Sequence, residues 1–338
     1  MRTWTLLEHG DPQKVLAMQD RPTPVPGPGQ VVIRCEGFGL NYADVMAVKG
    51  LYREAPPLPS VLGYEVVGTV DRIGTGVNEG LLGKRVVAMT RFGGYAEYAL
   101  TDQNALALVP AGAPLGEVAA LATQGCTAWY AARILCPLRK GERVLVHSGA
   151  GGVGQLLVQL ALQRGCIVYA VAKGAEKLRY LRQLGVQHPI DRGEADHEEQ
   201  LRRLLGNEKI DVSFNAVGGS TYKKDMRLLG SGGRIVLYGG AERGGLGRFG
   251  SLRFVWRMGL VLPILFMMKS RSILGINMLR IAEHRPDLLA ECVRGVVEAY
   301  AEGELRPRVH AEFPASDLPK ALQALESGST IGKVVVRW

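Results

Sequence analysis

The run Gly149-Ala150-Gly151-Gly152-Val153-Gly154 has the residue types and spacing of a turn that cradles a pyrophosphate. Glycines at these positions let the backbone approach a ligand closely, and a helix that opens on such a turn stabilises an anion through its unpaired N–H groups. Plain strand-to-helix turns use glycine as well, so the surroundings decide. Here an apolar strand, Arg143–Ser148, leads into the run, an amphipathic helix follows, and a second strand comes about twenty residues on. That order reads as a dinucleotide-binding unit.

The end of the second strand selects the dinucleotide. NAD-binding proteins place an Asp or Glu there to hold the ribose 2′-hydroxyl. This chain has Ala172-Lys173-Gly174-Ala175-Glu176-Lys177, with no carboxylate at the strand end. Lys173, Lys177 and Arg192 suit a 2′-phosphate instead, so NADPH is the expected cofactor and NADH the alternative.

The elements that must position this loop show in the hydropathy pattern. From about residue 120, apolar strands (143–147, 167–172, 211–215, 234–238, 272–276) alternate with helical stretches (153–164, 176–184, 221–229). Strands that are apolar on both faces belong to a parallel, doubly wound sheet covered by helices. The first 120 residues differ: Val31–Cys35, Val66–Val70 and Arg85–Met89 are short β-branched runs bounded by turns such as Pro26-Gly27-Pro28-Gly29. They predict a barrel-like β unit. The last sixty residues predict helices over 288–301 and 318–325 and a final strand, Lys333–Arg337, without the βα alternation. We therefore expect residues 1–122 and 278–338 to form a β-rich domain and 123–277 a Rossmann domain.

Bulk properties narrow the function classes. The net charge is +9, yet the basic residues form no long tract and no zinc-finger or aromatic RNA-binding pattern is present. Nucleic acid is not the expected partner. The five cysteines, Cys35, Cys126, Cys136, Cys166 and Cys292, are well separated and odd in number, which suits a reducing cytoplasm. The N-terminus lacks the apolar core of a signal peptide. Phe254 to Met268 is almost wholly apolar, but it is short for a span and is interrupted by Arg257, Gly259 and Pro263. It reads as a buried or interfacial helix rather than a membrane contact.

Taken together, the β-rich domain, the glycine loop, the Rossmann unit and the C-terminal return resemble the medium-chain dehydrogenase/reductase superfamily over nearly the whole chain. Within it, the zinc-free quinone oxidoreductase branch matches best, through Gly39-Leu40-Asn41-Tyr42-Ala43-Asp44, Gly50-Leu51-Tyr52, Gly63-Tyr64-Glu65, Thr127-Ala128-Trp129 and Ile331-Gly332-Lys333-Val334. His188-Pro189-Ile190-Asp191 is similar to the synaptic vesicle amine-transport-protein homologues, a sub-branch. The resemblance implies a GroES-like catalytic domain, a Rossmann domain, an active site in the cleft between them, and a homodimer joined through edge strands, here Ser272–Ile276.

Zinc-dependent relatives carry a Cys where this chain has Asn41, a His where it has Tyr64, and a third ligand near Thr123. Residues 91–113 contain none of the four cysteines of the structural zinc lobe. Zinc needs about four N, S or O ligands, so both sites are read as empty and no metal is expected. Without a Lewis acid, a plain ketone loses its polarising group. A conjugated acceptor is easier, because hydride adds at the β-carbon and the charge spreads onto an enolate that needs only a hydrogen bond or a proton.

By the same resemblance, Asn41 is expected to hydrogen-bond the substrate carbonyl or the cofactor. Tyr52 occupies the place of the proton donor in related enoyl thioester reductases, and Tyr64 is a further lining residue. Cofactor contacts carry over to Thr127, Gly152-Val153, Lys177, Ala216-Val217, Tyr238-Gly239 and Lys333, while Arg192 stands where quinone oxidoreductases have a tyrosine. The apolar stretch after the fifth strand, Gly244–Arg271, with Trp256, Met258, Leu260, Leu262, Phe266, Met267 and Met268, is expected to line a hydrophobic pocket or an interface.

Three readings follow. The leading one is an NADPH-dependent reductase of quinones or α,β-unsaturated carbonyls. The second is an enoyl thioester reductase acting on a coenzyme A or carrier-protein substrate. The third is a non-catalytic cofactor-binding protein that associates with lipid or partner proteins.

Overall fold

The eleven-residue strand Gln30–Leu40 is the hub of the β-rich half. It pairs antiparallel with Glu65–Ile73, with Tyr98–Asp102 and with the final strand Lys333–Arg337. The sheet runs on through Arg85–Met89 to Leu106–Leu108 on one side, and through Lys333–Arg337 to Val309–Pro314 on the other. Side chains two apart share a face of a strand. Val31 and Ile33, Phe38 and Leu40, Val86 and Ala88, and Val334 and Val336 all meet in one core. Each such side chain contributes about 1.5–3 kcal/mol through burial when it is as large as valine or leucine.

The computed structural model describes residues 1–245 and 250–338. The chain divides into two units, Met1–Cys126 with Met278–Trp338, and Thr127–Asn277. The second unit is built on a six-stranded parallel sheet. Its spatial order is His188–Asp191, Ile167–Ala172, Arg143–Val146, Ile210–Asn215, Leu229–Leu237 and Ser272–Gly275. Numbered along the chain, that is the order 3-2-1-4-5-6 of a dinucleotide-binding sheet. Val144, Leu145 and Val146 are fully buried, as their unbroken hydrophobicity requires of a strand covered on both faces.

Two elements lie where the hydropathy pattern is weak. Pro189 sits inside a strand, His188–Asp191, at the sheet edge, the position where a missing N–H costs no ladder bond. The helix His197–Leu205 is polar except for one narrow apolar face carrying Leu201 and Leu205.

The stretch from Phe254 to Met268 is not a buried helix. It forms two short helices, Gly250–Met258 and Pro263–Lys269, and most of its side chains are exposed. Gly259 turns at φ +75° between them and Pro263 opens the second, so one continuous buried helix cannot form. Within the Gly244–Arg271 stretch, residues 246–249 lie outside the described residues.

Candidate functional site

In the second unit, the expected cofactor residues gather at the carboxyl ends of the parallel strands, the binding edge of such a sheet. The glycine loop follows Arg143–Val146 and opens the helix Gly152–Gln163. Its glycines are sterically required: a Cβ on Gly149 would lie 2.9 Å from Cβ of Ala170, and one on Gly154 would lie 2.1 Å from the Ser148 carbonyl oxygen. Gly151 caps the helix without a side-chain acceptor, which leaves the N–H groups of the first turn available to an anion.

Lys173 and Arg192 directly follow paired positions, Ala172 and Asp191, on adjacent parallel strands. Lys177 lies in the first turn of the next helix, Ala175–Gln183. Burial, and then the nearby Arg192 cation, hold the Lys177 ammonium below its ordinary pKa. At the same strand ends Asp191 accepts the backbone N–H groups of Gly174 and Gly193, the latter at 2.8 Å. Three cations, Lys173, Lys177 and Arg192, therefore stand at neighbouring strand and helix ends.

Further along the same edge, Asn215 Oδ1 accepts the N–H groups of Val217 and Gly218 at 2.9 and 2.8 Å, fixing the turn after Ala216. A Cβ on Gly239 would lie 2.5 Å from the Ala216 carbonyl oxygen, so Gly239 lets these two strand ends close up. Tyr238 precedes it, with a buried hydroxyl that has no hydrogen-bond partner among the described residues. Thr127 is buried in the helix Cys126–Trp129.

The first unit holds Asn41, Tyr52 and Lys333. Asn41 Nδ2 donates to Glu65 Oε1 at 2.9 Å, and its Oδ1 accepts from Gln124 Nε2 and Lys333 Nζ, each at 3.1 Å. Lys333 also pairs with Glu65 Oε1, and both residues are completely buried. The other carboxylate oxygen of Glu65 accepts the Thr123 N–H at 2.6 Å. The three positions compared with zinc ligands thus carry an amide at Asn41, a phenol at Tyr64 and a hydroxyl at Thr123, and the Lys333–Glu65 ion pair bonds to Asn41 and to the Thr123 N–H. Gly39 makes room for that pair: a Cβ there would lie 2.2 Å from Lys333 Cε. The Lys333 ammonium is committed to Glu65 and Asn41, and Asn41 retains only one N–H for a ligand.

Tyr52 meets Tyr64 edge-on, with ring centroids 5.9 Å apart, and Tyr64 packs on Phe92 at 5.1 Å. Burial, then the carboxylates of Glu54 and Asp44, push the Tyr52 phenol up to about 12, so it keeps its proton at neutral pH. The Tyr64 hydroxyl is buried without a hydrogen-bond partner among the described residues. Asp44 is fully buried, accepts the Asn41 N–H at 2.7 Å, and is pushed up to about 7 chiefly by burial.

Glu65, Gln124 and Asp44 carry no motif that assigns them a task. Glu65 stands beside the informative Tyr64, but its partner Lys333 lies 268 residues away. A second unannounced cluster sits beneath the glycine loop. Asp225 accepts from Ser213 Oγ at 2.7 Å and Asn215 Nδ2 at 2.6 Å, pairs with His147 Nε2 at 2.9 Å, and lies 3.4 Å from His197 Nε2. Burial opposes the Asp225 charge, but His147 and His197 outweigh it and hold the carboxyl below the usual carboxylate range. Two imidazoles and a carboxylate have metal-ligand chemistry. Here Ser213, Asn215 and His147 already occupy the carboxylate, and the cluster anchors His147 two residues before the loop.

The chain matches the family model for the alcohol dehydrogenase GroES-like domain over residues 27–132 and that for zinc-binding dehydrogenases over 152–294. It is 30% identical to the synaptic vesicle membrane protein VAT-1 homolog of Rattus norvegicus, over 99% of this chain and 84% of that protein. Quinone oxidoreductase from Escherichia coli, solved in complex with NADPH, is 26% identical and superposes with a TM-score of 0.87 over the full length of both chains. The CurK enoyl reductase shares the fold, with a TM-score of 0.85 at 24% identity over 99% of this chain and 98% of its own. The chain belongs to the medium-chain dehydrogenase/reductase superfamily. Within it, the chain falls in the branch of the quinone oxidoreductases and VAT-1 homologues.

Proposed function

We propose that this chain is a zinc-independent reductase that uses NADPH to reduce quinones or α,β-unsaturated carbonyl compounds in the cytoplasm. Membership of the family makes it an NAD(P)H-dependent oxidoreductase. The observation that carries the finer reading is the convergence of Lys173, Lys177 and Arg192 at the strand ends, with Asp191 bound to backbone N–H groups. The E. coli relative solved with NADPH supports the same choice, and five free, buried cysteines suit a reducing compartment.

NADPH, when bound, supplies the hydride. The protein's own residues do the rest. The three cations bind the 2′-phosphate, and the glycine loop with its helix N-terminus binds the pyrophosphate. Asn41, held by Glu65, Gln124 and Lys333, presents its remaining N–H in one orientation. Tyr52, protonated at neutral pH, donates a hydrogen bond or its proton to the oxygen on which enolate charge develops. Burial of the Lys333–Glu65 pair fixes this geometry without a metal.

A second reading, reduction of an enoyl thioester, rests on the Tyr52–Tyr64 pair: an enoyl thioester also passes through an enolate and calls for the same protonated phenol. Pairing of the edge strand Ser272–Gly275 with a second copy, giving a homodimer, is part of the proposal. The test is oxidation of NADPH and NADH by the purified protein with a naphthoquinone, an enone and a crotonyl thioester, alongside metal analysis. NADPH-preferring turnover without bound zinc is expected. Preference for NADH, or one tightly bound zinc per chain, would refute it.

A further inference from the structure

We propose that the helix pair Gly250–Met258 and Pro263–Lys269 is a membrane-contact surface, which lays its apolar face into the headgroup region of a bilayer rich in anionic phospholipid.

The base of the pair is fastened to the second unit. Phe254 packs so tightly on the turn after Asn215 that a Cβ on Gly218 would lie 2.6 Å from its Cζ. The Gly219 N–H donates to Met258 Sδ at 3.2 Å, and Arg257 pairs with Glu242. Just past the second helix, the Arg271 guanidinium donates to the carbonyls of Met226, Leu229 and Gly230. Phe254 and Met258, one helical turn apart, face inward. The opposite side is bare: Leu252, Val255, Trp256, Leu260, Ile264 and Met267 are all exposed, Trp256 by 81% and Leu260 by 95%. A contiguous apolar face of this kind on a well-anchored element marks an interaction surface.

Charge identifies the occupant. Residues 250–271 carry Arg253, Arg257, Lys269 and Arg271 and no acidic side chain. A second copy docked on the same face would set these cations against their own kind, with no carboxylate from the segment to offset them. An anionic bilayer matches both features: acyl chains take the Leu, Ile and Met side chains, phosphates take Arg253 and Lys269, and tryptophan favours the boundary between them. Among the described residues no single helix is long and apolar enough to cross a membrane, and the two helices are bent by 41° to one another. Together the two helices have the length and composition of a broken span, but the bend and the fastening of Met258 and Arg271 to the second unit keep the pair from standing across the roughly 30 Å hydrocarbon core. The surface therefore lies in the interface.

The test is cosedimentation of the full-length protein with vesicles of phosphatidylcholine alone and with vesicles in which roughly one lipid in three is phosphatidylserine. Binding to the anionic vesicles is expected, weakened by salt. Leu260→Asp with Met267→Asp should lower it by about tenfold or more. Arg253→Glu with Lys269→Glu should remove only the preference for phosphatidylserine. Because Leu260 and Met267 are exposed, circular dichroism and melting should match wild type. A blue shift of tryptophan emission on adding anionic vesicles, absent in Trp256→Phe, reads the same insertion without an acidic substitution. Failure of wild type to bind either vesicle overturns the proposal. So does conversion of a wild-type dimer to monomers by Leu260→Asp, measured by sedimentation velocity, which would make the face a contact between copies.

Discussion

The two halves of the molecule handle charge in opposite ways. In the β-rich unit, Lys333 and Glu65 are completely buried, paired with each other and bonded to Asn41. At the strand ends of the parallel unit, Lys173 and Arg192 are exposed and Lys177 half-buried, and the Asp191 carboxylate accepts backbone N–H groups beside them. A buried charge must be neutralised within the fold, so it becomes a rigid strut. A cluster of like charges at the surface tolerates mutual repulsion because water screens it, and it is discharged when an anion arrives. The first arrangement suits positioning; the second suits binding an anion.

The largest effect should come from breaking the strut. Lys333→Met removes the cation that faces Glu65 in the core, and should cost about 3–5 kcal/mol in chemical denaturation. Adding Glu65→Gln should restore most of the loss, because the uncompensated charge disappears. A single variant as stable as wild type would mean that the pair does not hold the site.

Tyr52→Phe tests the phenol that packs on Tyr64 in the same unit. Loss of one donor to a developing oxyanion typically costs about a hundredfold in turnover. The loss is expected for an enone or an enoyl thioester and should be far smaller for a quinone, whose reduced ring delocalises charge. Equal turnover by variant and wild type on both substrate types would return Tyr52 to a packing role.

Asp44 gives a pH signature. Its folded pKa is raised to about 7 by burial, against about 3.9 in the unfolded chain. Between those values the folded state binds more protons than the unfolded state, so stability falls as pH rises through the window. Asp44→Asn should remove about 2–3 kcal/mol of the stability difference between pH 5 and pH 7.5. Denaturation curves of variant and wild type at both pH values check this. Parallel pH dependence would show that Asp44 ionises freely.

The smallest effect belongs to the binding cluster. Each charge-assisted contact to a phosphate is worth about 1–2 kcal/mol, so Lys173→Ala should weaken NADPH by roughly tenfold, and adding Lys177→Ala should erase most of the preference over NADH. NADH affinity should hardly change. If the double variant still prefers NADPH to the wild-type extent, the cations at the strand ends are solvated surface and the comparison fails on that side.

Local sequence determined the frame of this protein. The glycine run, the unbroken apolar strands and the β-branched runs are short-range patterns, and the backbone follows them because packing, turn chemistry and helix periodicity act over a few residues. The chain accordingly announced its Rossmann unit, its β-rich unit and the loop at residues 149–154. Pro189 and the polar helix His197–Leu205 were less legible, since an edge strand and a surface helix bury little. Only the tertiary structure decided which charges meet. Lys333 reaches Glu65 across 268 residues of sequence, Asp225 gathers Ser213, Asn215 and two histidines, and the apolar stretch after residue 250 faces outward instead of inward. Burial of a charge or exposure of a leucine depends on what the rest of the chain places against it, and no window of local sequence contains that neighbour.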